Sequence, residues 1–213
     1  MNEALWALGR GTGVVALILL TITVVLGILT RSGRPAFGLP RFAVTLVHRN
    51  SALIGTVFVV IHVVSLLFDP YAQLRVLDFF LPFLGSYHPL WLGLGTVGAD
   101  LLIAIMVTGL LRRWIGQRAF RVVHWATYLL WPVAFFHSIG TGTDASNGLF
   151  ILVAVACFGA VAGSVIWRLS GSFLRRDHGT PDRRIDPSRI APAPEIKEVR
   201  SRSPTRRCRR PTP

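Results

Sequence analysis

The chain has 213 residues, 52% of them hydrophobic and 15% charged, and a formal net charge of +13. A mean hydropathy of +0.53 lies above the range of soluble domains and places the chain among integral membrane proteins. Twelve of the 23 Lys and Arg residues lie beyond Gly171 in a stretch without a long apolar run, so most of the positive charge belongs to a tail and does not call for a nucleic-acid partner.

Five apolar runs are long enough to cross a hydrocarbon core of about 30 Å. The first, Gly13 to Leu29, is too long for a signal peptide, lacks a small-residue cleavage site and is followed by Arg31, Arg34 and Arg41, the basic flank of a true span. The others are Phe42 to Phe68, Leu90 to Leu111, Phe120 to Ile139 and Leu149 to Trp167. Between the second and third, Asp69 to Pro89 mixes Phe79, Phe80, Leu81, Phe83 and Leu84 with Pro70, Pro82, Gly85 and Pro89. That stretch is expected to form an interfacial or re-entrant cap, because irregular backbone at membrane depth survives only under protein or water.

Arginine placement gives the orientation. Arg31, Arg34, Arg41, Arg112, Arg113, Arg118, Arg121, Arg168 and the tail fall on one side of the five runs. Basic loops are retained in the cytoplasm, so the N-terminus is expected outside and the C-terminus inside a plasma or inner membrane. The segment 171–213 is rich in Arg, Pro, Ser and Asp and reads as a disordered tail whose charge serves topology, with anionic lipid or an acidic partner as the functional alternative. Cys157 sits in an apolar run and Cys208 in that tail, so a disulfide between them is not expected.

Four of the six histidines fall within predicted spans: His48 and His62 in the second, His124 and His137 in the fourth. Ionisable residues at that depth are costly and mark function. His48 and His62 are 14 residues apart, which on an α-helix is about 21 Å of rise and a return to within about 40° of the same face. His124 and His137 are 13 apart, at matching depths but about 140° apart on an ideal helix. Pro132 lies between them and removes a backbone hydrogen bond, which makes it the expected point of a kink or overwinding.

The two spans run the same way across the membrane, so His48 pairs in depth with His124 on the inner side and His62 with His137 on the outer. Each pair has the makings of two axial ligands for a b-type haem. Gly55, Ser51, Ala126 and Ala134 are small enough to admit a macrocycle, and Phe58, Trp125, Trp131, Phe135 and Phe136 are candidates to line it. Arg49, Arg41 and Arg121 lie near the inner pair, where they are candidates to meet haem propionates, although Arg41 and Arg121 also serve the positive-inside rule.

The stretches His48-Arg49-Asn50 through His62, and Val123-His124-Trp125 through His137-Ser138-Ile139-Gly140-Thr141-Gly142-Thr143-Asp144, resemble the ferric reductase-like transmembrane family. That family includes NADPH oxidases, yeast-type ferric reductases and the haem subunit of a bacterial periplasmic methionine sulfoxide reductase, and the likeness covers roughly positions 10 to 170. It implies an all-α integral membrane protein, a bundle of about five transmembrane helices binding two stacked b haems, over 1–170, followed by the disordered basic tail. His48 and His124 are then ligands of the inner haem and His62 and His137 of the outer, with electrons passing from cytoplasm to the outer face. Oxidases and eukaryotic ferric reductases of the family continue into flavin and nicotinamide domains, whereas 171–213 shows no Gly-rich dinucleotide fingerprint. The expected donor is therefore a separate flavoprotein reductase or membrane quinol, and the acceptor ferric iron, oxygen or a periplasmic redox protein. The protein is then an oxidoreductase subunit. The competing reading is a membrane transporter in which the histidines relay protons or bind a metal, and it predicts ligands converging at one depth. Asp100, within the third span, is expected to pack helices rather than relay protons.

Overall fold

In a computed structural model of the chain, the described residues are 2–31, 40–69, 76–84, 88–141 and 147–170. They belong to a compact unit, Met1–Arg175, and form helices only. In chain order these are α1 (Asn2–Arg31), α2 (Arg41–Leu67), the 3₁₀ turn η1 (Val76–Phe79), α3 (Pro89–Leu110), α4 (Arg112–His124), α5 (Thr127–Thr141) and α6 (Gly148–Leu169).

Four helices are long and apolar enough to span a membrane: Glu3–Thr30, Phe42–Leu67, Pro89–Leu110 and Gly148–Leu169. They match four of the five expected runs. Their outer faces are apolar: Leu53, Val57 and Val60 on α2 and Leu152, Val155 and Ile166 on α6 are all exposed, as lipid contact requires. The fourth expected span differs. It is divided into α4 and α5, and α5 has only 15 residues, about 22 Å of rise, less than a hydrocarbon core.

The division falls at Trp125 and Ala126, seven and six residues before Pro132, which sits inside α5. The expected deviation is present, but Pro132 is not its seat. Instead the backbone tightens: Ala126 N–H donates to the Val123 carbonyl at 2.9 Å, Tyr128 to Trp125 at 3.1 Å and Leu129 to Ala126 at 3.0 Å. All three close i→i−3 rings, and each residue in such a turn advances about 20° more than an α-helical one. Three such steps recover about 60° of the roughly 140° that separates His124 from His137 on an ideal helix. The Thr127 hydroxyl takes the His124 carbonyl at 2.8 Å. From the last turn of α6, Arg168 donates to the Tyr128 hydroxyl and stands 5.6 Å from the Trp125 ring and 5.3 Å from the Tyr128 ring, a cationic brace on the break. A second discontinuity lies inside α4, where Gly116 has φ 81°, a conformation open to glycine, and turns the first residues after α3 away from the rest of α4.

Helix α1 packs along α2, α5 and α6, and α3 packs on α5 and α4. The core is drawn from α1, α3, α5 and α6, with Leu17, Leu20, Leu102, Ile105, Leu130, Trp131, Phe135 and Cys157 buried. One polar bond crosses it: Trp131 Nε1–H donates to Thr21 Oγ1 at 2.9 Å, and Thr21 donates onward to the Leu17 carbonyl at 2.8 Å. Asp100 is exposed on α3 rather than packed between helices. The η1 turn caps one end of the bundle, as expected of that stretch: Thr96 on α3 donates to the Asp78 carbonyl at 2.8 Å, and Phe83 lies against Gly93. Residues 70–75 and 85–87 of the expected cap, Asp144, and the whole tail 171–213 with Cys208 lie outside the described residues.

Replacing Thr21 by Val leaves the buried Trp131 N–H without its acceptor. The expected loss is about 1–3 kcal/mol, read as a lowered midpoint in thermal unfolding of the detergent-solubilised protein; an unchanged midpoint contradicts the assignment.

Candidate functional site

The four intramembrane histidines meet in two pairs. The rings of His48 on α2 and His124 at the end of α4 have centroids 6.4 Å apart and planes 81° apart. Those of His62 on α2 and His137 on α5 are 6.3 Å and 80° apart. The pairing by depth expected from the sequence is the pairing observed. An imidazole–imidazole hydrogen bond would bring the ring centres to about 5 Å. Two metal–nitrogen bonds of about 2 Å each, with the rings behind them, place the centres about 6 Å apart across one shared ion. The observed spacings fit the second arrangement.

Three of the four rings are held from behind in one way. His62 Nδ1 lies 2.7 Å from the Gly9 carbonyl, His48 Nδ1 2.9 Å from the Thr23 carbonyl, and His137 Nδ1 2.8 Å from the Trp91 carbonyl. A carbonyl only accepts, so each Nδ1 carries the proton and Nε2 keeps its lone pair free for a metal. His124 differs: its Nδ1 is buried with no hydrogen-bond partner.

Each acceptor stands four residues before a glycine that touches the same ring. A Cβ added at Gly13 would lie 3.0 Å from His62 Cε1, one at Gly27 3.2 Å from His48 Cε1, and one at Gly95 2.5 Å from His137 Cε1. The cause is helical geometry. Side chains lean toward the helix N-terminus, so the side chain at i+4 covers the carbonyl of residue i. A glycine there leaves the carbonyl's second lone pair open and lets the imidazole in. Nothing in the histidine spacing announced these glycines, yet Gly13 and Gly27 repeat on α1 the 14-residue interval of His48 and His62 on the antiparallel α2.

A cavity opens beside each pair. The one at His62 and His137 is walled by Ala16, Leu17, Gly95, Gly98 and Ala134, with Asp78 and Phe79 of η1 also lining it. The one at His48 and His124 includes Thr23, Thr56, Arg121, Trp125, Tyr128 and Trp131. Both are lined mostly by apolar side chains with a few polar groups, the character of cofactor pockets. Leu20, Leu102 and Leu130 line both cavities and form the wall between them.

The structure sorts the other candidates. Ala134, Trp125 and Trp131 line cavities as expected, and among the described candidate arginines Arg121 lies on a cavity wall. Arg49 is exposed beside His48 on α2, and the Arg41 side chain lies outside the described residues. Gly55 packs on Leu19, Phe135 stacks on Trp131 at 5.1 Å, and Phe136 is exposed. Helices α1 and α3 contribute wall residues to both cavities alongside the histidine-bearing helices, and their chemical signal in the sequence is a run of small residues.

A methyl group at Gly95 overpacks against His137. Gly95→Ala is expected to cost about 1–3 kcal/mol in thermal unfolding, whereas Gly163→Ala, inside α6 with nothing within 4 Å of the added Cβ, is expected to leave stability unchanged or raise it by up to about 1 kcal/mol.

Neither a curated protein nor a solved structure matches the chain. Comparison with protein families matches residues 12–135 to the ferric reductase like transmembrane component. The match covers more than half of the chain, takes in His48, His62 and His124, and ends two residues before His137. With this match added to its paired intramembrane histidines, the chain belongs to the ferric reductase-like transmembrane family.

Proposed function

We propose that this protein is a di-haem b transmembrane electron-transfer protein, carrying electrons from a cytoplasmic or quinol donor to an acceptor at the outer face. The observation that carries this reading is the spacing of the two imidazole pairs, 6.4 and 6.3 Å between ring centres, each beside its own apolar cavity. Family membership supports it.

The residues present fit haem. His48 and His124 are the ligands proposed for an inner haem, His62 and His137 for an outer one, and Arg121 is placed to meet a propionate. Bound haem supplies a one-electron ferric/ferrous couple. The chain does the rest. The carbonyls of Gly9, Thr23 and Trp91 fix the tautomer and raise the basicity of three imidazoles. A haem iron held by both histidines of a pair would keep no open coordination position, which would favour electron transfer over oxygen binding. The leucine wall keeps water from the space between the sites. The η1 turn closes one end of the outer cavity.

In this reading α4 and α5 together complete a fifth crossing, the N-terminus faces outward, and the basic C-terminal segment meets cytoplasmic anionic lipid. The donor is a separate flavoprotein reductase or quinol, and the acceptor ferric iron, oxygen or a periplasmic redox protein. The transporter reading is less well supported, since the histidines meet in twos at two levels. Among the described residues, His, Cys, Asp and Glu form no group of three or more suited to a metal ion.

A pyridine haemochrome assay on the purified protein is expected to return two b haems per chain, with a low-spin reduced-minus-oxidised spectrum. His62→Ala or His137→Ala is expected to remove one and leave the other. No haem sinks the reading, and a single haem per wild-type chain sinks its two-site form.

A further inference from the structure

Three histidines are seated on a carbonyl four residues before a glycine, and His124 is not. Yet α3 carries a fourth such seat. Gly109 and Ile105 lie 14 residues beyond Gly95 and Trp91, the same step that separates the two seats on α1, and a 14-residue step on a helix returns to within about 40° of the same face. The register of α3 against α4 and α5 is antiparallel throughout. Gly95 meets His137, Gly98 meets Val133, and Gly109 meets Phe120. Phe120 is one helical turn before His124, so the turn from Gly109 back to Ile105 brings Ile105 level with His124. Ile105 and His124 line the same cavity.

What stands at the seat is the Phe120 ring. It lies 5.2 Å from the His124 ring, and its Cε2 is 3.7 Å from where a Cβ of Gly109 would be. His124 Nδ1 is left buried and unpaired, a state that costs free energy until a partner is found. The tightened turn at Trp125 and Ala126 takes up part of the one-residue difference between the 14-residue step on α3 and the 13-residue step from His124 to His137.

We propose that Gly109 and the Ile105 carbonyl are the seat of His124, taken up when the inner histidine pair is liganded. His124 Nδ1–H then donates to the Ile105 carbonyl beside the Thr108 hydroxyl at 3.2 Å, as His62 shares the Gly9 carbonyl with the Thr12 hydroxyl at 3.0 Å, and Gly109 is a positioning residue that leaves room for the ring. The inference rests on the di-haem reading. A hydrogen-bonded imidazole is the stronger donor and favours ferric iron, so losing the seat raises the potential of the inner haem.

The test is a spectroelectrochemical titration of the full-length, haem-loaded protein, with the inner couple identified as the one that survives in His62→Ala. In the structure as it stands, Gly109→Ala meets only Phe120, at ordinary contact distance, so a purely structural role predicts no effect. The seat predicts that Gly109→Ala moves the inner couple to higher potential, or halves the haem content by losing the inner haem, with the outer couple unmoved. Gly95→Ala is expected to do the reverse, disturbing the outer couple alone. An inner couple unmoved by Gly109→Ala, or both couples displaced or lost together, overturns the proposal. A wild-type protein without haem overturns the di-haem reading itself, and so is distinguished from failure of the seat alone.

Discussion

An imidazole in the middle of an apolar bundle has two nitrogens to satisfy, and the way this chain satisfies the first decides where the second can act. At His48, His62 and His137 the Nδ1–H goes to a backbone carbonyl of a neighbouring helix. A helical carbonyl is already bonded along its own helix, so a second bond to it requires that no side chain cover it. Gly13, Gly27 and Gly95 meet that requirement. The same absence of side chains lets α1 approach α2 and α3 approach α5 closely, as small residues do between membrane helices. Ligand tautomer, ring direction and helix spacing thus follow from one contact repeated three times.

Two such contacts on a single helix pair must recur at an interval that brings both rings to one side. On α1 and α2 the interval is 14 residues on each helix, and straight helices suffice. On the opposite side the histidines are 13 apart, and a straight helix fails. The tightened turn at Trp125 and Ala126 supplies part of the missing rotation, about 60°, braced by Arg168 from α6. Interrupting that segment is the structural cost of placing both His124 and His137 opposite α2. The three leucines shared by the two cavities then separate the levels with side chains from α1, α3 and α5.

Much of this was legible in the amino-acid sequence. Four apolar runs coincide with helices long enough to cross a membrane, because hydropathy over about 20 residues is a strong signal. The histidine pairs were legible because buried imidazoles are rare and their rise along a helix is fixed. The fourth run reads as one span bent or overwound at Pro132, whereas the break lies at Trp125 and Ala126. A proline inside a helix loses one bond but need not change its winding, whereas i→i−3 closure at Trp125 and Ala126 has no residue signature of its own. The glycine seats were missed because glycine is common in membrane helices, and Gly13, Gly27 and Gly95 acquire meaning only once a ring lies against them. Arg49 shows the converse: adjacent to His48 in sequence, it points away from the cavity that Arg121, from another helix, reaches.

The central claim is that each histidine pair clasps one iron from both sides with ring planes near perpendicular. Perpendicular axial imidazoles leave the two iron orbitals that interact with them nearly equal in energy, and the ferric low-spin centre is then highly anisotropic. Low-temperature electron paramagnetic resonance of the oxidised protein reads this directly. The account predicts two low-spin signals of the large-g, highly anisotropic kind. High-spin iron, or rhombic spectra of the kind given by parallel imidazole planes, would contradict it.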